Sequence, residues 1–185
     1  MVERASPFAA PVAASAEGVS IDGVPRGSLW QLACWAETFA EIEGALGEAC
    51  GCAAPAPGRM VETSDGRLLI RIEPLKWWVM GPDGADCPLT PDADHGAWLD
   101  MSHDQAAITV EGENAVEILK RMVSLDLREH AFPDLSFAST QMHHMITKVL
   151  RRDRDGQAAY QVMFMRSYAD DLREIAQHHL HNFGG

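Results

Sequence analysis

One short stretch gathers most of the side chains that could do chemistry. Trp98 to Gly112 reads "WLDMSHDQAAITVEG" and places Asp100, Ser102, His103 and Asp104 side by side. An acid, a hydroxyl and an imidazole are the parts of a hydrolase triad, but such a triad is assembled from residues distant in sequence, each held by a different element. Along one extended segment alternate side chains point to opposite faces, so Asp100 and Ser102 share a side and His103 faces away. No Gly-x-Ser-x-Gly elbow exposes a nucleophile. The segment reads instead as a strand entrance, where short polar side chains bond to nearby backbone groups. No catalytic residue is nominated.

Other candidates fare similarly. His178 and His181 share a helical face at i, i+3 and could supply two metal ligands, but no third is evident; histidines in a last helical turn also suit the helix dipole. His143 and His144 fall in a predicted strand and face opposite ways. Cys50 and Cys52 form Cys-x-Cys rather than the Cys-x-x-Cys of a zinc knuckle or redox pair, and Cys34 and Cys87 have no near neighbour at ligand spacing. Neither a Gly-x-Gly-x-x-Gly nor a Walker loop is present, so no cofactor-binding or metal-binding residue is nominated. Trp77-Trp78 on one strand must send a ring to each face. The outer ring either marks a partner surface or packs beneath a linker.

The rest of the composition narrows the function classes. The chain has 185 residues with 15 basic and 27 acidic side chains, a formal net charge of −12. Such a surface repels phosphate backbones and anionic headgroups, which argues against nucleic acid and membrane partners and leaves a basic protein partner open. The one basic run, Lys148 to Gly156, is interleaved with Asp153 and Asp155 and reads as a solvated hairpin tip. The N-terminal "MVERASPFAAPVAASAEG" lacks the apolar run of an export signal, and no stretch approaches the ~18 apolar residues of a membrane span. With four cysteines expected as reduced thiols, the expected location is cytoplasmic.

The elements that position these residues come next. Residues 1–19 read as a flexible arm and 20–183 as one α+β domain in two halves, about 20–82 and 97–183, joined by the Pro-, Gly- and Asp-rich segment Gly81–Gly96. The first half reads strand ("GSLWQLACW"), helix (Ala36–Gly51), strand ("RLLIRIEP"), strand ("KWWVMGP"). Phe39, Ile42, Leu46 and Ala49 recur at helical spacing, and Gly51 stands where a helix would stop. The second half repeats the order: "QAAITVEG", the helix "ENAVEILKRMV", then "SFASTQMHHMITKVLR" and "AAYQVMFMR" joined across Asp155-Gly156, a hairpin signal. A closing helix follows, with Ser167 as N-cap. This is the order of two split βαβ, ferredoxin-like units, with helices on one face of antiparallel sheets.

The second half also resembles a known family. "LDMSHDQAAITVEGENAVEILKRMVSLDLREHAFP" is similar to the gamma subunit of heterotetrameric sarcosine oxidase, where Asp-x-Ser-His leads into a strand, a helix and an Asp-Leu-x-x-x-x-Phe turn. The matching residues are Asp100, Ser102 and His103, then Asp126, Leu127, Ala131, Phe132 and Pro133. The tail "VMFMRSYADDLREIAQHHL" matches at Arg166, Ser167, Tyr168 and Ala169, and "LLIRIEPLKWWVMGP", with Trp77 and Trp78, resembles the family's apolar strand, Trp and Gly-Pro pattern.

The resemblance implies an aminomethyltransferase-like folate-binding-domain fold and a noncatalytic gamma subunit with alpha, beta and delta partners. In such a complex FAD, FMN, NAD and the tetrahydrofolate site belong to alpha and beta and zinc to delta, so this chain is expected to bind no cofactor. The complex demethylates sarcosine oxidatively to glycine. On this reading Asp100, Ser102, His103, Arg166, Ser167, Tyr168, Trp77 and Trp78 are fold-motif or subunit-contact positions. The small subunit of an N-methylglutamate dehydrogenase-type complex and a free-standing folate-dependent aminomethyltransferase-like protein remain alternatives.

Overall fold

The computed structural model describes residues 6–8, 10–16 and 18–183. The chain forms two compact units, one of Arg26–His103 and the other of the segments before Arg26 and after His103. In chain order the elements are β1 (Ala13–Ala16), β2 (Val19–Gly23), β3 (Ser28–Cys34), α1 (Phe39–Cys50), β4 (Met60–Glu62), β5 (Leu68–Glu73), β6 (Lys76–Gly81), β7 (Gly96–Asp100), β8 (Gln105–Glu111), α2 (Ala115–Met122), β9 (Ser136–Met142), β10 (Met145–Arg151), β11 (Ala159–Met165) and α3 (Ala169–His181). A 3-10 turn, Arg166–Tyr168, joins β11 to α3. The strands make two antiparallel sheets, in the orders β4-β5-β6-β3-β7 and β1-β2-β8-β11-β10-β9, so the α+β expectation holds.

In the unit Arg26–His103, α1 buries Ile42, Leu46 and Cys50, one residue every fourth position, and this stripe covers one face of the sheet. There it meets Leu32 and Cys34 of β3, Leu69 of β5, and Trp77 and Val79 of β6. Arg71 locks helix to sheet. Its guanidinium lies 4.8 Å from the Phe39 ring centroid and 5.3 Å from that of Trp77, with Glu43 at 3.0 Å and the Pro74 carbonyl at 2.7 Å. Gly51 ends the helix at φ 65 as read, a left-handed conformation that glycine adopts without strain. The helix starts at Phe39 rather than Ala36, because the Thr38 N–H first closes a turn onto Trp35 O.

In the other unit α2 and α3 cover one face of the six-stranded sheet. Ile118, Leu119 and Met122 of α2 and Leu172, Ala176 and Leu180 of α3 pack on Ile108 and Val110 of β8, Val149 of β10, and Tyr160, Val162 and Phe164 of β11. The register puts Val110 opposite Tyr160 and Ile108 opposite Val162, so the period-two pattern of both strands points at the helices. Asp155 and Gly156 take φ 51 and 77, and Arg154 and Gln157 exchange both backbone hydrogen bonds across them, as the hairpin signal predicts.

The repeat holds with one strand more in each copy. Strand and helix are followed by a three-strand meander whose last strand returns to pair with the first: β3, α1, β4-β5-β6 in one unit and β8, α2, β9-β10-β11 in the other. In the first copy the added strand, β4, is only three residues long. In the second, "SFASTQMHHMITKVLR" is a hairpin and not one strand. His143 takes φ 51 without the Gly, Asn or Asp that normally announces such a turn, so His143 and His144 occupy a turn instead of opposite faces of a strand.

Two boundaries also differ from expectation. The arm read over residues 1–19 contributes β1, paired with β2, and Phe8 and Val12 are buried in the core; its residues 1–5, 9 and 17 lie outside those described. The segment Gly81–Gly96 does not join two halves. It folds onto its own sheet, where Trp30 Nε1 donates to Ala85 O at 2.9 Å and Trp35 Nε1 to Ala93 O at 3.1 Å. The chain crosses between units at Pro25/Arg26 and His103/Asp104.

Arg151 is a buried cation in the unit of the two helices. It bonds Asp153 through two nitrogens at 2.8 and 2.9 Å, Glu129 at 2.8 Å and the Phe132 carbonyl at 2.9 Å, which ties β10 to the turn that follows α2. Arg151→Met keeps the apolar stem but leaves the Phe132 carbonyl without this donor. It is expected to cost about 3 kcal/mol in urea unfolding of the full chain.

Candidate functional site

The segment Asp100–His103 is built by the pairing of β7 with β3. Trp30 stands opposite Asp100, Leu32 opposite Trp98 and Cys34 opposite Gly96. A Cβ on Gly96 would sit 2.3 Å from Ala33 O, so only glycine lets β7 begin this close to β3. At the far end the Met101 N–H still donates to Leu29 O at 2.8 Å, and then the chain turns. The Ser102 N–H donates to Asp100 Oδ1 at 2.9 Å, and Ser102 Oγ accepts the Leu29 N–H at 3.0 Å. A side-chain hydroxyl thus stands in for the backbone acceptor that would have continued the ladder. His103 is turned to the Arg26 guanidinium.

This geometry makes the motif the exit of β7 rather than the entrance of the next strand. It forms no nucleophile and base: Ser102 Oγ is held by a backbone N–H while His103 faces Arg26. Asp104 already belongs to the other unit, where its carbonyl accepts the Arg166 N–H at 2.8 Å.

Arg166, Ser167 and Tyr168 form the 3-10 turn before α3. The Arg166 side chain reaches the Ser6 carbonyl at 3.3 Å, and Tyr168 is exposed. Ser167 is not the N-cap: the turn absorbs it, α3 starts after Tyr168, and no side chain caps the helix. The two motifs that carried the sequence resemblance therefore lie in different units. In the matched turn after α2, Leu127 and Phe132 are buried while Asp126 and Ala131 are exposed, and Asp126 is clasped by Arg128 Nε at 2.9 and 3.0 Å, a guanidinium contact that holds its carboxyl well below the usual range.

Trp77 and Trp78 are both buried, at 0% and 2% exposure, so of the two readings of the outer ring the packed one describes this pair. Trp77 stacks on Phe39 at 5.9 Å in the α1 core, and Trp78 Nε1 bonds Gln31 Oε1 at 3.1 Å. The exposed tryptophans are Trp35 at 49% and Trp98 at 45%. Trp98 lies on the last strand of its sheet and Trp35 just past the end of β3, placements that tertiary pairing sets.

All four cysteines are free thiols. Burial pushes Cys50 up to about 11 and raises Cys34, Cys52 and Cys87 as well, which keeps the reactive thiolate scarce at neutral pH. Folding also brings His143 of the β9–β10 turn to 6.2 Å from His179 of α3, whose ring lies 6.0 Å from that of His178; sequence spacing had instead paired His178 with His181. Burial lowers the His179 pKa, and His143, His178 and Arg121 lower it further. Among the described residues no group of three or more His, Cys, Asp or Glu is arranged to hold a metal ion, and no helix is long and apolar enough to cross a membrane. Two open hollows, one lined by Ser124, Thr140 and Ile146 and one by Ala40, Gly44 and Cys52, converge no set of catalytic groups.

No known protein family and no curated protein matches this sequence. Solved structures do match its fold. A chain of heterotetrameric sarcosine oxidase from Corynebacterium sp. U-96, in complex with pyrrole 2-carboxylate, superposes with a TM-score of 0.75 at 16% identity, over 94% of this chain and 90% of that one. Aminomethyltransferase T of the glycine cleavage system from Bartonella henselae superposes at 0.57 with 11% identity, over 86% of this chain but 45% of the enzyme. The fold is thus of the sarcosine oxidase and aminomethyltransferase kind, and the resemblance read from the sequence extends to three dimensions.

Two outcomes follow from the geometry. Gly96→Ala forces a methyl against Ala33 O and is expected to destabilise by about 1–3 kcal/mol, with faster amide exchange along β7 as the local signature. For His179 the folded pKa lies below the unfolded value of ~6.5, so the folded state resists protonation. Stability is full above that pH and declines as pH falls through the folded value. Thermal melts of the full chain should show this decline, flattened in His179→Gln.

Proposed function

We propose that this chain is a noncatalytic, gamma-type subunit of a heterotetrameric sarcosine oxidase-like complex, acting in assembly and support. The observation that carries the reading is the near end-to-end likeness, over 94% and 90% of the two chains, to a sarcosine oxidase chain of similar length. The motif geometry agrees with it: Asp100, Ser102 and His103 serve a strand end and not a reaction. Under this proposal the partners are alpha, beta and delta subunits in the cytoplasm. These would carry FAD, FMN, NAD, tetrahydrofolate and zinc while the complex demethylates sarcosine to glycine. A complex acting on another N-methyl amino acid, of the N-methylglutamate dehydrogenase type, would use such a subunit in the same way.

A second reading draws on the aminomethyltransferase likeness, which takes in 86% of this chain: a free-standing folate-dependent protein. The chain spans less than half of that enzyme's length. Purification of the tagged chain from its native host separates the two. The subunit reading expects flavin absorbance and three co-purifying chains, with no saturable tetrahydrofolate binding by the isolated chain. A colourless single band that binds tetrahydrofolate would overturn it.

A further inference from the structure

Among the described residues β7 ends its sheet, with β3 on one side and no strand on the other. The Met101 N–H bonds Leu29 O and the Trp35 N–H bonds His95 O, so residues 95, 97, 99 and 101 turn their backbone groups toward β3. By the same alternation Trp98 turns its N–H and C=O outward. Its side chain is 45% exposed and that of Leu99, on the opposite face, 56%. Trp35, 49% exposed, sits just past the start of this edge. Trp98 is braced, with its ring 5.3 Å from that of Trp30, whose own Nε1 is tied to Ala85 O.

Sheet edges are normally defended by lysine, proline, a bulge or a cover. Gly96–Asp100 has neither lysine nor proline, and its register with β3 runs without a bulge. Acidic side chains predominate along it, and past its end the Arg26 guanidinium is engaged by His103. Glu37, Asp92 and Asp94 are exposed, as is Asp100, which holds the Ser102 N–H, and the His95 imidazole faces Glu41 at 3.6 Å.

We propose that the outer edge of β7 is a docking site for an extended segment of a partner protein that alternates apolar with Lys or Arg side chains. The segment adds as a further strand, bonding the outward N–H and C=O of Trp98. Its apolar side chains cover Trp98 on one face, and its cations, which the alternation puts on the face of Leu99, are drawn to the acidic surroundings. Charge selects this occupant over a second copy of the chain, since two molecules of net charge −12 would bring like rims together. The proposal does not require the gamma-subunit reading.

The test titrates the full chain with a blocked peptide of alternating valine and lysine, and with its glutamate counterpart. Tryptophan emission and exchange of the Trp98 amide are the readouts. Trp98→Pro removes the outward N–H without breaking a bond to β3, and Leu99→Lys sets a cation on the edge while leaving the backbone intact. Expected are saturable binding of the lysine peptide that weakens with salt, slowed exchange at Trp98, and roughly tenfold or greater loss of affinity in both variants. Equal binding of the glutamate peptide, no slowing at Trp98, unchanged affinity in the variants, or no binding at all would each overturn the proposal. So would a concentration-dependent dimer abolished by Leu99→Lys, which would give the edge to a second copy. The co-purification experiment reads none of these quantities, so either reading can fall alone.

Discussion

The candidate site depends on one close approach. Residue 96 enters β7 with its Cα against Ala33 O, where a Cβ would stand only 2.3 Å away. Because that position is glycine, β7 lies in register with β3 from Cys34 to Trp30. That register delivers Asp100 and Ser102 to the strand end, sets Trp98 beside Trp30, and leaves the far side of β7 as the sheet's edge. A chain that begins a strand one residue out of register would turn every side chain of β7 to the other face.

From that approach follows the use made of the polar cluster. A ladder that stops must still satisfy its last backbone groups, and here side chains do it: Asp100 takes the Ser102 N–H, and Ser102 takes the Leu29 N–H. These are the same short polar residues that look like catalytic parts on paper. Committed to backbone, Ser102 Oγ is a poor candidate nucleophile. The chemistry such residues perform is decided by which atoms stand around them.

The two units solve one packing problem twice. In each, a strand leads into a helix, and a meander returns to pair with that first strand, so the helix covers the face that its flanking strands share. The fastenings differ. Arg71 holds α1 through aromatic faces and Glu43, whereas Arg151 is sunk among carboxylates and a carbonyl where the meander meets the turn after α2. Both are guanidiniums, whose planar fork can satisfy several acceptors at once. Repeating the order with different anchors keeps the topology while the sequences of the halves differ.

Local sequence settled the features that depend on near neighbours. The spacing of Ile42 and Leu46 made α1 amphipathic, though Cys50 and not the expected Ala49 completes its buried stripe, Gly51 stopped it, and Asp155-Gly156 turned the hairpin. The argument that adjacent residues on one strand cannot form a triad also needed only local geometry. Tertiary structure decided the rest. The turn at His143 has no glycine to announce it and exists because β9 and β10 pair around it. Trp77 and Trp78 are buried on an inner strand, while Trp98 on the last strand and Trp35 just past the end of β3 are exposed, placements that composition does not distinguish. Gly81–Gly96 resembles a linker by its prolines and glycines, yet distant indole N–H groups fasten it to its own unit. Side-chain period and turn chemistry act over a few residues; strand order and burial are set by contacts between segments far apart in the chain, which single residues do not encode.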